Sequence, residues 1–175
     1  MKYMKYIIPI IMLSLVLLSC AKKEEKTTTD VYTCTGTSSG SGPTIGSVAL
    51  EEATYLSSCF SSRKLKLEFK NSTEAQYTSY TYGDTSCSTL TDTGSMCMNA
   101  ITVSSTAVTK PTYVDGSASD NATGYNATAS WGHASTETAY LQFSADNASV
   151  FWFNQSSTEA GRESNSVWIF KFTKQ

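Results

Sequence analysis

The sequence predicts an all-β domain, either a single antiparallel meander barrel of about eight strands or a β-sandwich. Three observations carry this. Helical periodicity is nearly absent after the first twenty residues. Strict apolar–polar alternation marks Lys64–Phe69 instead, where Leu65, Leu67 and Phe69 share one face and Lys64, Lys66 and Glu68 the other. Further β-rich runs, separated by turn residues, recur to the end of the chain at meander spacing.

Taken in order, the first element is the one helix candidate, Ser47–Leu56, with Ser47 as its cap and Glu51 and Glu52 in its early turns. Lys64–Phe69 then opens the strands. Gln76–Tyr82 alternates Tyr, Thr and Ser. Asn99–Ser104 centres on Ile101 and Val103, and Thr112–Val114 follows Pro111. Gly124–Trp131 is more polar, with Tyr125 and Trp131 near its ends. Ala139, Leu141 and Phe143 form another inward row, and Ala145–Ala148 reads as a hairpin connection to Val150–Phe153. Val167–Phe172 closes the chain, with Trp168, Phe170 and Phe172 on one face. A closed barrel would remove exposed strand edges.

Ahead of the domain, Lys2 and Lys5 precede an apolar run from Ile7 to Leu18, interrupted only by Pro9 and Ser14, and the run ends in Leu17-Leu18-Ser19-Cys20. A basic start, a short apolar core and a small residue describe an export signal. The core holds roughly a dozen residues, whereas a helix needs about twenty to span a bilayer. Leu17–Cys20 resembles the lipobox of bacterial lipoproteins, whose cysteine is cut free and acylated. The resemblance implies a membrane-anchored exported lipoprotein, held by diacylglycerol on the Cys20 sulfur and a third chain, such as palmitate, on the new amino group. Two or more chains anchor stably, at about 0.8 kcal/mol per buried methylene. In that family an aspartate after the cysteine signals inner-membrane retention, so Ala21 implies the outer membrane, on its periplasmic or surface face.

The expected organisation is therefore a signal peptide over 1–19, a lipidated N-terminus and flexible tether over 20–46, and a β-rich domain over 47–175. The tether contains Lys22–Lys26, the threonines 27–29 and a Ser/Gly stretch ending at Pro43, which is composition that favours loose chain. Ser and Thr make up about 30% of the sequence, well above ordinary usage, as suits an exported β-protein. Loss of Lys2 and Lys5 with the signal leaves eleven basic side chains against fifteen acidic ones, a net of about −4. With no basic cluster after Lys26, nucleic acid is not an expected partner.

Cys34, Cys59, Cys87 and Cys97 remain beside Cys20. In an exported chain an even number points to two disulfides, and three pairings are open. A metal site is disfavoured, since there is no Cys-x-x-Cys and His133 is the sole histidine. Tyr55-Leu56-Ser57-Ser58-Cys59 and Tyr82-Gly83-Asp84-Thr85-Ser86-Cys87 resemble two stretches of small lipocalin-like lipoproteins. That resemblance implies the pairing Cys59–Cys87, leaving Cys34–Cys97. It also implies a barrel that holds a small apolar ligand.

No residue set reads as catalytic, and no enzyme or cofactor is expected. His133 sits beside Gly132 in a loop, with no evident group to orient it as a base. Asp84 reads as a turn residue bonding nearby backbone. Asp115–Asn121 has the oxygen spacing of a calcium loop but not its acid density or terminal glutamate. Glu159 and Glu163 flank Gly161-Arg162 in an expected loop. The sequons at Asn71, Asn121 and Asn126 carry no weight in a bacterial chain so rich in Ser and Thr. Trp152, Phe153, Trp168, Phe170 and Phe172 read first as core, and otherwise as the lining of a ligand cavity. The alternative to carriage is a structural or adhesion role, with protein partners bound through the exterior.

Overall fold

The computed structural model describes residues 32–110, 112–113, 122–132, 137–164, 167–168 and 170–175. In chain order these form β1 (Ser41–Ile45), β2 (Val48–Glu51), β3 (Thr54–Ser57), β4 (Arg63–Asn71), β5 (Glu74–Tyr82), β6 (Leu90–Lys110), β7 (Thr112–Tyr113), β8 (Ala122–Trp131), β9 (Thr138–Asn147), β10 (Val150–Ser156), α1 (Glu159–Ser164), β11 (Val167–Trp168) and β12 (Phe170–Lys174). Eight of them close a barrel in the order β3-β4-β5-β6-β8-β9-β10-β12, and β12 returns to pair with β3. Neighbours are antiparallel throughout and follow chain order, so the architecture is an up-and-down barrel and not a sandwich. Closure satisfies both edges of every strand.

The alternation read from β4 holds: Leu65, Leu67 and Phe69 are buried in the core. Across the barrel, Phe151 on β10 stacks on its register partner Phe172 on β12, with centroids 4.9 Å apart and planes 2° from parallel. Tyr55 packs edge-on against Phe69 at 5.7 Å and Phe151 at 5.1 Å. Its hydroxyl donates to the Ala148 carbonyl at 2.7 Å and accepts from the Glu51 amide at 3.0 Å, so the buried ring keeps a satisfied polar tip. Phe143 and Phe153 complete this cluster, each fully buried. Burying each such ring contributes about 1.5–3 kcal/mol.

The two ends of the barrel differ. At one, the β1–β2 hairpin crosses the opening, touching β4, β6 and β9 and burying Ile45 and Leu50 in the core. It acts as a plug. Its turn needs Gly46, which has φ 60° and lies against the Tyr125 ring. At the opposite end lie the β3–β4 and β5–β6 connections.

Two expectations are corrected here. Ser47–Leu56 is not a helix but β2, a turn and β3. Leu50 and Tyr55 must both enter the core, and strand geometry brings them there while Glu52 occupies the turn. The stretch expected as tether over 20–46 is, where described, largely fixed. Ser41–Ile45 pairs with β2 despite its Gly and Pro residues, because Ile45 gains a place in the core. Residues 32–36 lie over the outer face of β5 and β6. There Cys34 N donates to Gln76 Oε1 (2.8 Å), Gln76 Nε2 donates to the Tyr32 carbonyl (3.0 Å), and Gly36 N donates to Glu74 Oε1 (2.9 Å).

Smaller differences concern boundaries. Asn99–Ser104 lies within the 21-residue β6, which is irregular between Asn99 and Thr102, where Ala100 has φ 52°. β9 continues through Ala145 to Asn147, so the hairpin turn falls at Ala148–Ser149. The Val167–Phe172 run divides: β11 pairs in parallel with β7 outside the barrel, and only β12 belongs to it.

Candidate functional site

Both disulfides follow the expected pairing. Cys34–Cys97 fastens the N-terminal strap to β6, and Cys59–Cys87 joins the β3–β4 and β5–β6 connections at the end away from the plug. Cys34 and Cys97 lie with Glu74 in a group of metal-ligand type, but their sulfurs are bonded to each other and are not thiolates. Cys20, His133 and Asp115–Asn121 fall outside the described residues.

Asp84 is a turn residue, as its sequence setting indicated. Its carboxylate accepts from Ser86 Oγ (2.6 Å), the Ser88 amide (3.0 Å), Ser88 Oγ (3.0 Å) and the Thr89 amide (2.8 Å). These bonds, that of Ser86 foremost, hold its pKa well below the usual aspartate range. A carboxylate so engaged is a scaffold for the loop that carries Cys87.

Glu159 and Glu163 lie on α1, not in a loop. Both face Arg162, whose Nη2 is 2.9 Å from Glu159 Oε1 and 3.0 Å from Glu163 Oε1. The guanidinium is buried, donates to the Ala127 carbonyl at 3.4 Å and lies over the Tyr140 ring. The two acids thus balance a buried cation that fixes α1 on the barrel wall. They are not arranged as a hydrolytic pair.

The cavity-lining aromatics separate by strand parity. Phe153 and Phe172 are packed into the plugged half, and Phe170 is partly buried against that core. Trp152 is buried on the opposite face of β10 with the Lys171 ammonium over its ring. The Trp168 side chain lies outside the described residues. A tightly filled core therefore occupies the region where Leu65–Phe69 faces Phe172.

Nearer the other end, Tyr77 on β5 and Trp131 on β8 meet edge-on at 5.5 Å against the core. The register places Gly94 opposite Ser79, one inward step beyond the Tyr77–Met96 pair, and a Cβ at Gly94 would meet nothing within 4 Å. Arg63, paired with Thr81, and Gln155 occupy inward register positions towards the rim. Gln155 and Ser79 hydrogen-bond Tyr77, while burial pushes its phenol above the usual tyrosine range. Phe60 and Phe170 pack edge-on at 6.0 Å by the β3–β4 connection at this end. The arrangement is an aromatic floor under a polar rim, with no charged group in the floor. It suits a mostly apolar molecule carrying one polar group.

Sequence reading did not single out this set. Tyr, Thr and Ser at every position of Tyr77–Tyr82 hide which face points inward, and Gly94 has no local signal. The one cue was the odd-numbered parity shared by Leu65, Tyr77 and Ser79. Compared with protein-family models, curated proteins and solved structures, the chain matches none of them.

Proposed function

We propose that the protein is an exported lipoprotein, tied to a bilayer through acylated Cys20, that binds a small, mostly apolar ligand in the open half of its barrel and catalyses no reaction. The observation that supports the binding role is the space beside Gly94, where a Cβ would meet nothing within 4 Å, near the Tyr77–Trp131 pair. The basic start, the apolar run and Leu17–Cys20 support the anchor, and Ala21 supports the outer membrane. Two disulfides fit an oxidising compartment. The filled plugged half limits the ligand to a short one.

The test fills the space. Gly94→Phe places a ring in the lumen without touching the buried core. Wild-type protein should enhance the fluorescence of a naphthalene sulfonate dye saturably, and Gly94→Phe should bind it at least about tenfold more weakly. Its thermal midpoint should stay unchanged. Equal binding by the two proteins overturns the lumen as the site. For the anchor, Cys20→Ala should shift the protein from the detergent phase to the aqueous phase, and unaltered partitioning refutes it.

A further inference from the structure

The chain carries a net charge of −2, yet the barrel concentrates its cations on two strands. Among the described side chains, Arg63, Lys64, Lys66, Lys70, Lys171 and Lys174 all lie on β4 or β12, the strands flanking β3, and Arg162 alone lies elsewhere. Alternation drives this. With Leu65, Leu67 and Phe69 turned inward, Lys64, Lys66 and Lys70 share the outer face. Only Glu68 joins them on that face of β4, ion-paired to both Lys66 and Lys70. Lys64 instead lies over the Tyr82 ring, 5.9 Å from its centroid.

Beside these lysines runs a groove of about 270 Å³, lined chiefly by Leu56, Lys64, Lys66, Tyr80 and Tyr82. Two other stretches of the outer wall are covered: the strap lies on β5 and β6 at Gln76, and α1 touches β9 and β10. The groove combines cations with partly exposed aromatic rings, and its position is distinct from the lumen.

We propose that this groove binds an acidic polysaccharide. Pyranose rings present C–H faces that lie flat on Tyr80, while Lys64, held over Tyr82, and Lys66, shared with Glu68, meet the carboxylates. A bilayer surface fits less well, because a lipid-facing patch inserts large apolar side chains. The large hydrophobics exposed among the described residues are Tyr32 and Leu90, and neither lines the groove. Nucleic acid fits less well because two lysines neutralise too few phosphates. Exposed ion pairs of this kind are individually weak and screened by salt, so binding is salt-sensitive.

The experiment uses the full chain and polygalacturonate at low ionic strength, read by titration calorimetry, with neutral dextran as control. Polygalacturonate should bind and dextran should not. Lys64→Ser/Lys66→Ser should weaken binding about tenfold and flatten its salt dependence. Tyr80→Ser/Tyr82→Ser should weaken it similarly while keeping the salt dependence. Lys70→Ser, outside the groove, should leave affinity within about twofold. The lysine pair is on the surface, so that variant remains decisive should the tyrosine pair not fold. Absence of polygalacturonate binding overturns the proposal, as does wild-type affinity in Lys64→Ser/Lys66→Ser. Tighter binding to phosphatidylglycerol vesicles or to oligodeoxythymidine overturns it too.

Discussion

Gly46 lies so close to Tyr125 that a Cβ there would stand 2.4 Å from the Tyr125 hydroxyl oxygen. The contact seats the plug hairpin against β8, and Gly46 also has φ 60°, a left-handed conformation that a Cβ disfavours. Two costs therefore coincide. The conformation costs about 1–2 kcal/mol for an L-residue, and overpacking adds about 1–3 kcal/mol. Gly46→Ala should destabilise the fold by about 2–5 kcal/mol. A urea midpoint equal to that of the wild type would show that the hairpin is not tightly seated.

The Phe151–Phe172 stack joins β10 to the last barrel strand at the centre of the core. Phe151→Ala should cost about 3–5 kcal/mol, since neighbours as tightly packed as Tyr55, Phe69 and Phe143 close only part of the space. Chemical denaturation checks this. A loss below about 1 kcal/mol would mean the core there is loose.

Each disulfide removes freedom from the unfolded chain according to the loop it closes. With separations of 63 and 28 residues, Cys34–Cys97 should contribute about 4 kcal/mol and Cys59–Cys87 about 3.5 kcal/mol. Replacing Cys34 and Cys97 with Ser should also expose Tyr32–Gly36 to protease while the barrel persists. Limited proteolysis followed by mass spectrometry reads this, and an uncut strap would show that its hydrogen bonds suffice.

Glu52 supplies a pH-dependent clasp. One carboxylate oxygen accepts from Ser38 Oγ (2.9 Å), the Ser39 amide (3.0 Å) and the Gly40 amide (2.7 Å), and these bonds, Ser38's foremost, hold its pKa below the ordinary glutamate value. The stabilisation is complete above the unfolded glutamate value and is lost as pH falls through the lowered folded one. Protection of the Ser39 and Gly40 amides in hydrogen exchange should therefore persist into mild acid and fade below the usual carboxylate range. In Glu52→Gln it should be weaker at neutral pH and flat across that range. A pH-dependent loss in Glu52→Gln equal to the wild type's would assign the effect to another group.

Local sequence was a good guide wherever a residue's neighbours in the chain share its fate. The inward row of β4 was legible because Leu65, Leu67 and Phe69 alternate with charges. The Asp84 turn was legible because a short carboxylate bonds backbone a few residues on. The Ser47–Leu56 segment was not legible, because its caps and acids satisfy helix rules locally. The gain from burying Leu50 and Tyr55 among distant strands outweighs those preferences. Helix α1 was missed for a related reason: its six residues are held by Arg162 on the barrel wall rather than by an apolar stripe of their own.

By itself the sequence determined the all-β class, the approximate strand count and most strand positions, all of which follow from side-chain periodicity along single strands. The tertiary structure decided the rest. It chose barrel over sandwich, confirmed which cysteines meet, laid the strap on the wall and set the plug in one end. It also left Gly94 facing space and gathered the lysines of β4 and β12 on one side. Each of these depends on register between segments far apart in sequence, and register is set by packing across the closed sheet, which no local pattern encodes.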